Sequence, residues 1–188
     1  MRDLSLHLLD IIGNSLNAGA STIDVELRAD PLADLLEMII RDNGKGMDET
    51  IVNRVTDPFF TTRTTRPVGL GIPLLKELCE LTGGNLSIRS HVGQGTELQA
   101  RLGLSSIDRL PLGSISETFT ALVLSDPSVD YRLVMRSPDK AFDLDFAEVR
   151  TQLVDVALNE PVVMDWLCQI IDEQVKNIFG GVLHEIIS

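Results

Sequence analysis

Three short stretches carry groups suited to chemistry, and each also has a plainer reading. Asn14 stands in the middle of a helical pattern, where a side-chain amide is a mediocre helix former and is explained either by ligation or by a surface position. Asp42 follows an apolar run and precedes Asn43-Gly44-Lys45-Gly46. Such glycines let a flat ligand approach the backbone beside a carboxylate at a strand end, although a plain turn accounts for the same residues. Gly69-Leu70-Gly71 precedes another helical pattern, so it either presents amide donors to phosphate groups or makes only a tight turn. The pattern Gly-x-x-x-x-Gly-Lys-Ser/Thr is absent from the sequence, so any bound phosphate is not expected to rest on the usual P-loop.

The elements that must position these residues follow from hydrophobic period. Residues 3–20 read as a helix in which Leu9, Ile12 and Leu16 form a core-facing stripe. Asp3, His7, Asp10, Asn14 and Asn17 fall within about 80° of one another and make its polar face. Residues 22–27 and 35–40 alternate as strands, the second ending at the glycine turn. Residues 48–55 suit a short helix. Residues 57–68 hold two prolines, two adjacent phenylalanines and four threonines, and read as a mobile loop that could act as a lid. Residues 72–81 are helical in period and end at Gly83-Gly84, the residue type for a left-handed cap. Strands are expected over residues 85–90 and 96–102.

Beyond a connector at 105–116, residues 118–124 and 131–136 read as strands around the turn Ser125-Asp126-Pro127-Ser128. Asp145 and Glu148 have capping-box spacing for a helix with Phe146, Val149 and Leu153 on one face. Asn159 and Pro161 announce a last helix whose Met164, Leu167, Ile171, Val175 and Ile178 form an apolar stripe. This divides the chain into residues 1–105 and a small acidic α/β module at 106–188.

Composition sets limits on partners. The chain has 188 residues, 44% hydrophobic and 23% charged, and a net charge of -12, which is ordinary globular composition. Residues 1–105 carry 10 basic and 14 acidic side chains, and residues 106–188 carry 6 and 14. An acidic surface without a basic stripe repels phosphate backbones, so nucleic acid is not an expected partner. Cys79 and Cys168 sit in separate apolar helical patterns and suit free thiols in a reducing cytoplasm. No leader pattern and no apolar run near the ~20 residues of a membrane span are present, so a cytoplasmic protein without a membrane partner is expected.

In order and spacing, the pieces resemble the boxes of the GHKL ATPase superfamily. Asp10-Ile-Ile-Gly-Asn14-Ser-Leu-Asn17-Ala-Gly-Ala20 resembles the N box, especially the Asn-Ser-Leu-Asp-Ala-Gly-Ala run of MutL proteins. Asp42-Asn-Gly44-Lys-Gly46-Met is similar to the first glycine box, and Asp57-Pro-Phe59-Phe60-Thr-Thr-Arg63 looks like the F box of histidine kinases. Gly69-Leu70-Gly71-Ile resembles the second glycine box. Gly93-Gln-Gly95-Thr96, with Gly83-Gly84 before it, matches the C-terminal pattern of the kinases. The resemblance implies an α+β fold over residues 1–105, a two-layer sandwich of the Bergerat type, with ATP and Mg²⁺ as ligands.

Carried over by position, Asn14 would hold Mg²⁺ and Asp42 would accept a hydrogen bond from the adenine amino group. Gly44 and Gly46 would bring backbone to the base, and Gly69, Leu70 and Gly71 would offer amides to the phosphates. Arg63 would contact the terminal phosphate, and Asn17, Phe59, Phe60 and Thr96 complete the nucleotide-binding set. Asp10 stands at the position of the catalytic glutamate, one turn before Asn14, where a carboxylate can orient water or a hydroxyl; a solvated helix-face aspartate is the alternative. His91 and His184 are expected at the surface, and His7, two turns before Asn14 on the polar face, would lie near the nucleotide or just behind the residues that touch it.

Three departures qualify the resemblance. Pro67 replaces the first glycine of Gly-x-Gly-Leu-Gly, which predicts a stiffer hinge. Asn17 stands where many histidine kinases have a basic residue. The chain begins inside the N box, without the helical pair that carries the phosphoacceptor histidine, so autophosphorylation is not expected. The implied function is an Mg·ATP-binding signalling protein that phosphorylates or regulates a separate protein partner. The alternatives are a nucleotide-gated binding module without phosphotransfer and, disfavoured by charge, a MutL-like ATPase.

Overall fold

In β1 (Thr22–Asp30), alternation buries Ile23, Val25, Leu27 and Ala29 on one face. The same face continues across β2 (Leu35–Asp42) through Leu36, Met38 and Ile40, because the antiparallel register sets Val25 opposite Ile40 and Leu27 opposite Met38. β4 (Gly95–Gly103) extends it with Leu98, Ala100 and Leu102, and β3 (Asn85–His91) closes that side. On the other side of β1, β5 (Asp130–Ser137) pairs in parallel and β6 (Lys140–Asp145) pairs antiparallel with β5. The order is β3-β4-β2-β1-β5-β6 in one mixed sheet. This computed structural model describes residues 1–57, 70–154, 156–181 and 183.

Helices cover the apolar face. They are α1 (Leu4–Asn17), α3 (Gly71–Leu81), α4 (Ile115–Ser125), α5 (Phe146–Gln152) and α6 (Pro161–Phe179), while the short α2 (Glu49–Val52) buries none of its residues. α1 is started by Asp3, whose side chain accepts from the Leu6 amide. Its buried arc is centred on Leu4, Leu8, Ile11, Ile12 and Ser15. The expected stripe of Leu9, Ile12 and Leu16 is therefore rotated: only Ile12 is fully buried, and Leu9 and Leu16 pack at the margin of the core. The opposite face of the sheet carries ion pairs instead of helices. Glu26 reaches Arg41 and Arg136, Glu97 reaches Arg41 and Arg89, and Arg101 meets Glu37.

Residues 106–188, divided off in the sequence, add β5 and β6 to this sheet. One expectation there is corrected: residues 118–124 are helical, within α4. Their threonines, phenylalanine and valine suit a strand. A helix forms because Ser114 accepts from the Glu117 amide and because Ile115, Phe119, Leu122 and Val123 then face the core together. β6 was not anticipated. The Asp145 cap of α5 is as expected, its carboxylate accepting from the Ala147 and Glu148 amides. α6 buries Met164, Leu167, Ile171 and Ile178 as expected, with Val175 only partly covered.

Phe119 stacks on Phe146 at 5.5 Å between ring centroids and meets Tyr131 edge-on at 6.4 Å. The cluster joins α4, β5 and α5. Replacing Phe119 by alanine is expected to cost ~3–5 kcal/mol in urea unfolding. Because β5 is hydrogen-bonded to β1, the loss should appear as one shifted transition for the whole chain, and two separate transitions would contradict this.

Candidate functional site

Asp42 ends β2 with both carboxylate oxygens in use. The Ser15 hydroxyl of α1 donates to Oδ2 at 2.7 Å, and the Gly44 amide donates to Oδ1 at 2.9 Å. Each carboxylate oxygen accepts more than one bond, so capacity for a further donor remains. Ser15 is 4% exposed. It was not singled out in the sequence, yet a hydroxyl on the apolar arc of a helix is itself a signal, because a buried hydroxyl needs a partner.

The turn after Asp42 is tied on both sides. Asn43 accepts from the Ser21 and Thr22 amides, and the Lys45 amide donates to the Ala18 carbonyl at 3.0 Å. The Gly93 amide donates to the Lys45 carbonyl at 2.8 Å, which brings in the β3–β4 hairpin. The approach is too close for side chains. Gly46 has φ +65°, and a Cβ there would fall 2.0 Å from the His91 carbonyl oxygen. Gly95 has φ +89°, and its Cβ would fall 1.9 Å from the Asp42 carbonyl oxygen. Both positions require glycine.

Thr96 lies directly opposite Asp42 in the β2–β4 register, and Ser90 lies opposite Thr96 in β3. The Ser90 hydroxyl donates to the Gly95 carbonyl, accepts from the Met47 amide and lies 2.9 Å from the Thr96 hydroxyl. Ser90 is thus a supporting residue outside every box, and Gly95, which belongs to the box ending at Thr96, supports the turn through its backbone. His91 is exposed, as expected.

A second group lies along one flank of α1. Asp10 and Asn14 are both half-buried there. The Asp10 carboxylate is seated against Gly71, where an added Cβ would fall 1.7 Å from Oδ2. Gly71 opens α3, whose cap residue Leu70 supplies no side-chain bond. The carboxylate therefore stands at the end of α3 where the helix dipole favours negative charge. Asn17 is exposed, and its Nδ2 donates to the Gly13 carbonyl of its own helix at 2.6 Å. Phe59, Phe60, Arg63 and Gly69, with residues 58–68 of the loop expected at 57–68, lie outside the described residues.

His7, expected on the polar face of α1, is buried. It is 3% exposed, and its Nδ1 is the buried side-chain atom without a hydrogen-bond partner among the described residues. Burial pulls its pKa below the ordinary 6.5, aided by the N-terminal ammonium and opposed by Asp10 and Asp3. Cys79 is buried as expected, and burial pushes its thiol up to about 12, so it is an inert core residue. Among the described residues no group of three or more His, Cys, Asp or Glu side chains is placed to hold a metal ion, and no helix is long and apolar enough to cross a membrane.

The family profile described as "Histidine kinase-, DNA gyrase B-, and HSP90-like ATPase" matches residues 2–106. The sensor protein kinase FleS of Pseudomonas aeruginosa is 36% identical over 110 residues, covering 58% of this chain and 27% of that protein. The non-motile and phage-resistance protein of Caulobacter vibrioides is 31% identical over 111 residues, covering 54% of this chain and 13% of that protein. The sensor histidine kinase AtsR of Burkholderia thailandensis is 28% identical over 101 residues, covering 50% of this chain and 17% of that protein. The chain thus spans between 13% and 27% of the length of these curated relatives. Among solved structures, the N-terminal domain of a DNA repair protein superposes with a TM-score of 0.51 at 15% identity, over 77% of this chain and 52% of that one, a likeness of fold.

The depressed pKa of His7 has a definite sign in stability. Below about pH 6.5 the unfolded chain takes up a proton that the folded chain resists. This part of the stability is complete above pH 6.5 and is lost as pH falls from there toward the folded pKa. His7→Gln is expected to flatten that slope in melting temperatures measured from pH 7.5 to pH 5, and an unchanged slope would mean that other groups carry it.

Proposed function

Since the chain belongs to the histidine kinase-, DNA gyrase B- and HSP90-like ATPase family, we propose that it binds Mg·ATP at the end of β2 and uses it to phosphorylate or regulate a separate protein partner. The observation that supports this most directly is the Asp42 carboxylate, fixed by Ser15 and the Gly44 amide with acceptor capacity left over. An adenine amino group can donate to it. Guanine presents a carbonyl oxygen at that position, which the carboxylate repels. Gly44 and Gly46 would bring backbone to the base, and Thr96 stands across the strand pair from Asp42.

Asn14 would hold Mg²⁺, sharing it with the phosphates. One amide oxygen suits that ion, which keeps several waters and takes few protein ligands. When bound, Mg²⁺ neutralises phosphate charge. The amides that begin α3 at Leu70 and Gly71 would receive the phosphates, with Gly69, Phe59, Phe60, Arg63 and Asn17 completing the site. Asp10, one turn before Asn14, would take the proton from a water or a partner hydroxyl. A second reading is favoured by the seat of that carboxylate against Gly71. If Asp10 stays there, the domain changes partner affinity with nucleotide and transfers nothing.

Two measurements test this. Asp42→Asn is expected to weaken ATP binding by roughly 10- to 100-fold in calorimetry, the loss of a bond to a charged group worth ~1.5–3 kcal/mol. Unchanged affinity would place the base elsewhere. With γ-labelled ATP and candidate partners, Asp10→Asn should retain nucleotide binding and cut labelling or turnover by about 10² to 10⁴. Parental rates in that variant would remove Asp10 from the chemistry. Nucleotide binding without any labelling or turnover in the parent would select the binding-module reading.

A further inference from the structure

The helix α6 presents two unlike faces. Its inner face buries Val163, Met164, Leu167 and Ile171. On its outer face Val162 is 72% exposed and Trp166, one turn on, is 47% exposed. Trp166 is the only tryptophan of the chain. In the connection leading into α6, Val154 and Val156 are 77% and 40% exposed. Beside the Val162–Trp166 pair the helix exposes Asp165 and, further along, Asp172 and Glu173. Tryptophan and valine kept in water on a firm helix forgo the burial that stabilises such side chains. Tryptophan on an exposed apolar patch with a polar rim is also the composition of an interface centre.

We infer that the outer face of α6, centred on Val162 and Trp166, docks a cationic amphipathic helix of a protein partner. Charge selects this occupant. Residues 106–188 carry 14 acidic and 6 basic side chains, and Asp165 and Asp172 lie along one side of the apolar pair on α6. They repel nucleic acid, anionic lipid headgroups and a second copy of the same face, and they attract lysine and arginine. A helix with an apolar stripe would cover Val162 and Trp166 while its basic margin meets Asp165 and Asp172. The inference names the chemistry of the partner in the proposed function, and it stands on α6 by itself. α6 packs on α4, β5 and β6, whereas the nucleotide-site residues lie on α1, β2, β4 and the start of α3.

The test uses the whole chain and a synthetic helical peptide of leucine and lysine, with a leucine and glutamate peptide of the same pattern as its counterpart. Trp166 reports contact directly, since neither peptide contains tryptophan. The lysine peptide is expected to shift Trp166 emission to the blue with an affinity that falls as salt rises, and the glutamate peptide should leave it unchanged. Trp166→Ala should lower calorimetric affinity by about 30-fold, the scale of an interface hot spot. Asp165→Lys with Asp172→Lys should also lower it. ATP affinity should be the same in all variants, so that loss of peptide binding is distinguished from failure of the nucleotide site. The proposal is overturned by absence of a shift, by equal binding of the two peptides or by full affinity in Trp166→Ala. It is equally overturned if emission shifts with protein concentration alone and sedimentation shows a dimer, since a second copy then covers the face.

Discussion

Asp42 accepts one bond from the Ser15 hydroxyl of α1 and one from the Gly44 amide of its own turn, and much of the surrounding structure is needed for those bonds to exist. The first requires α1 to lie across β2 with Ser15 turned into the core. The second requires the chain to double back within two residues, where a Cβ on Gly44 would press on Ala18 and on Asp42 itself at 3.0 Å. The hairpin of β3 and β4 then closes on the same turn from the other side. Its approach is backbone against backbone at Gly46 and Gly95, so that glycine at these positions is a condition for the carboxylate to be held at all.

Among the described residues, the sheet that carries Asp42 has helices on one face only. On the other, arginines and acids alternate from strand to strand, and most of these pairs are partly solvated. Each such pair contributes little by itself, about 0–1 kcal/mol. Their collective effect is on pairing. A slip of one residue would turn the charged row into the helices and the apolar row into water. Ile39 and Val134 lie nearly covered among the long side chains of this row, which shows how arginine stems shield apolar surface while their guanidinium groups stay wet.

The segment after residue 106 changes what the first strand is. Without it β1 would be an edge, and its outward amides and carbonyls would be open to pairing with other chains. The parallel pairing with β5 covers that edge, and a parallel connection needs a crossover, which α4 provides. Arg150 of α5 fastens the start of β5, reaching the Asp130 carboxylate and the carbonyls of Pro127 and Val129. The same segment also carries α6, so the extension of the sheet and the exposed tryptophan face arrive together.

The strands through residue 103, α1 and α3 were legible because each is an apolar period closed by a local stop. The positions of Asp10, Asn14, Asp42 and the glycines were legible because their types and spacing are themselves local. For α4 composition points the other way: Thr118, Phe119, Thr120 and Val123 are strand formers, and the Ser114 cap together with the joint burial of Ile115, Phe119, Leu122 and Val123 decides for a helix. His7 and Ser15 show the same boundary inside one helix. Sequence determined that both lie on α1, but α1 is rolled so that Ser15 meets Asp42 from 27 residues away while His7 is shut from water, its Nδ1 without a partner among the described residues. The seat of Asp10 against Gly71 and the parallel joining of β5 to β1 are of the same kind. Periodicity states which side of an element is apolar, whereas its roll and its neighbours are set by side chains far away in the chain that compete for one core.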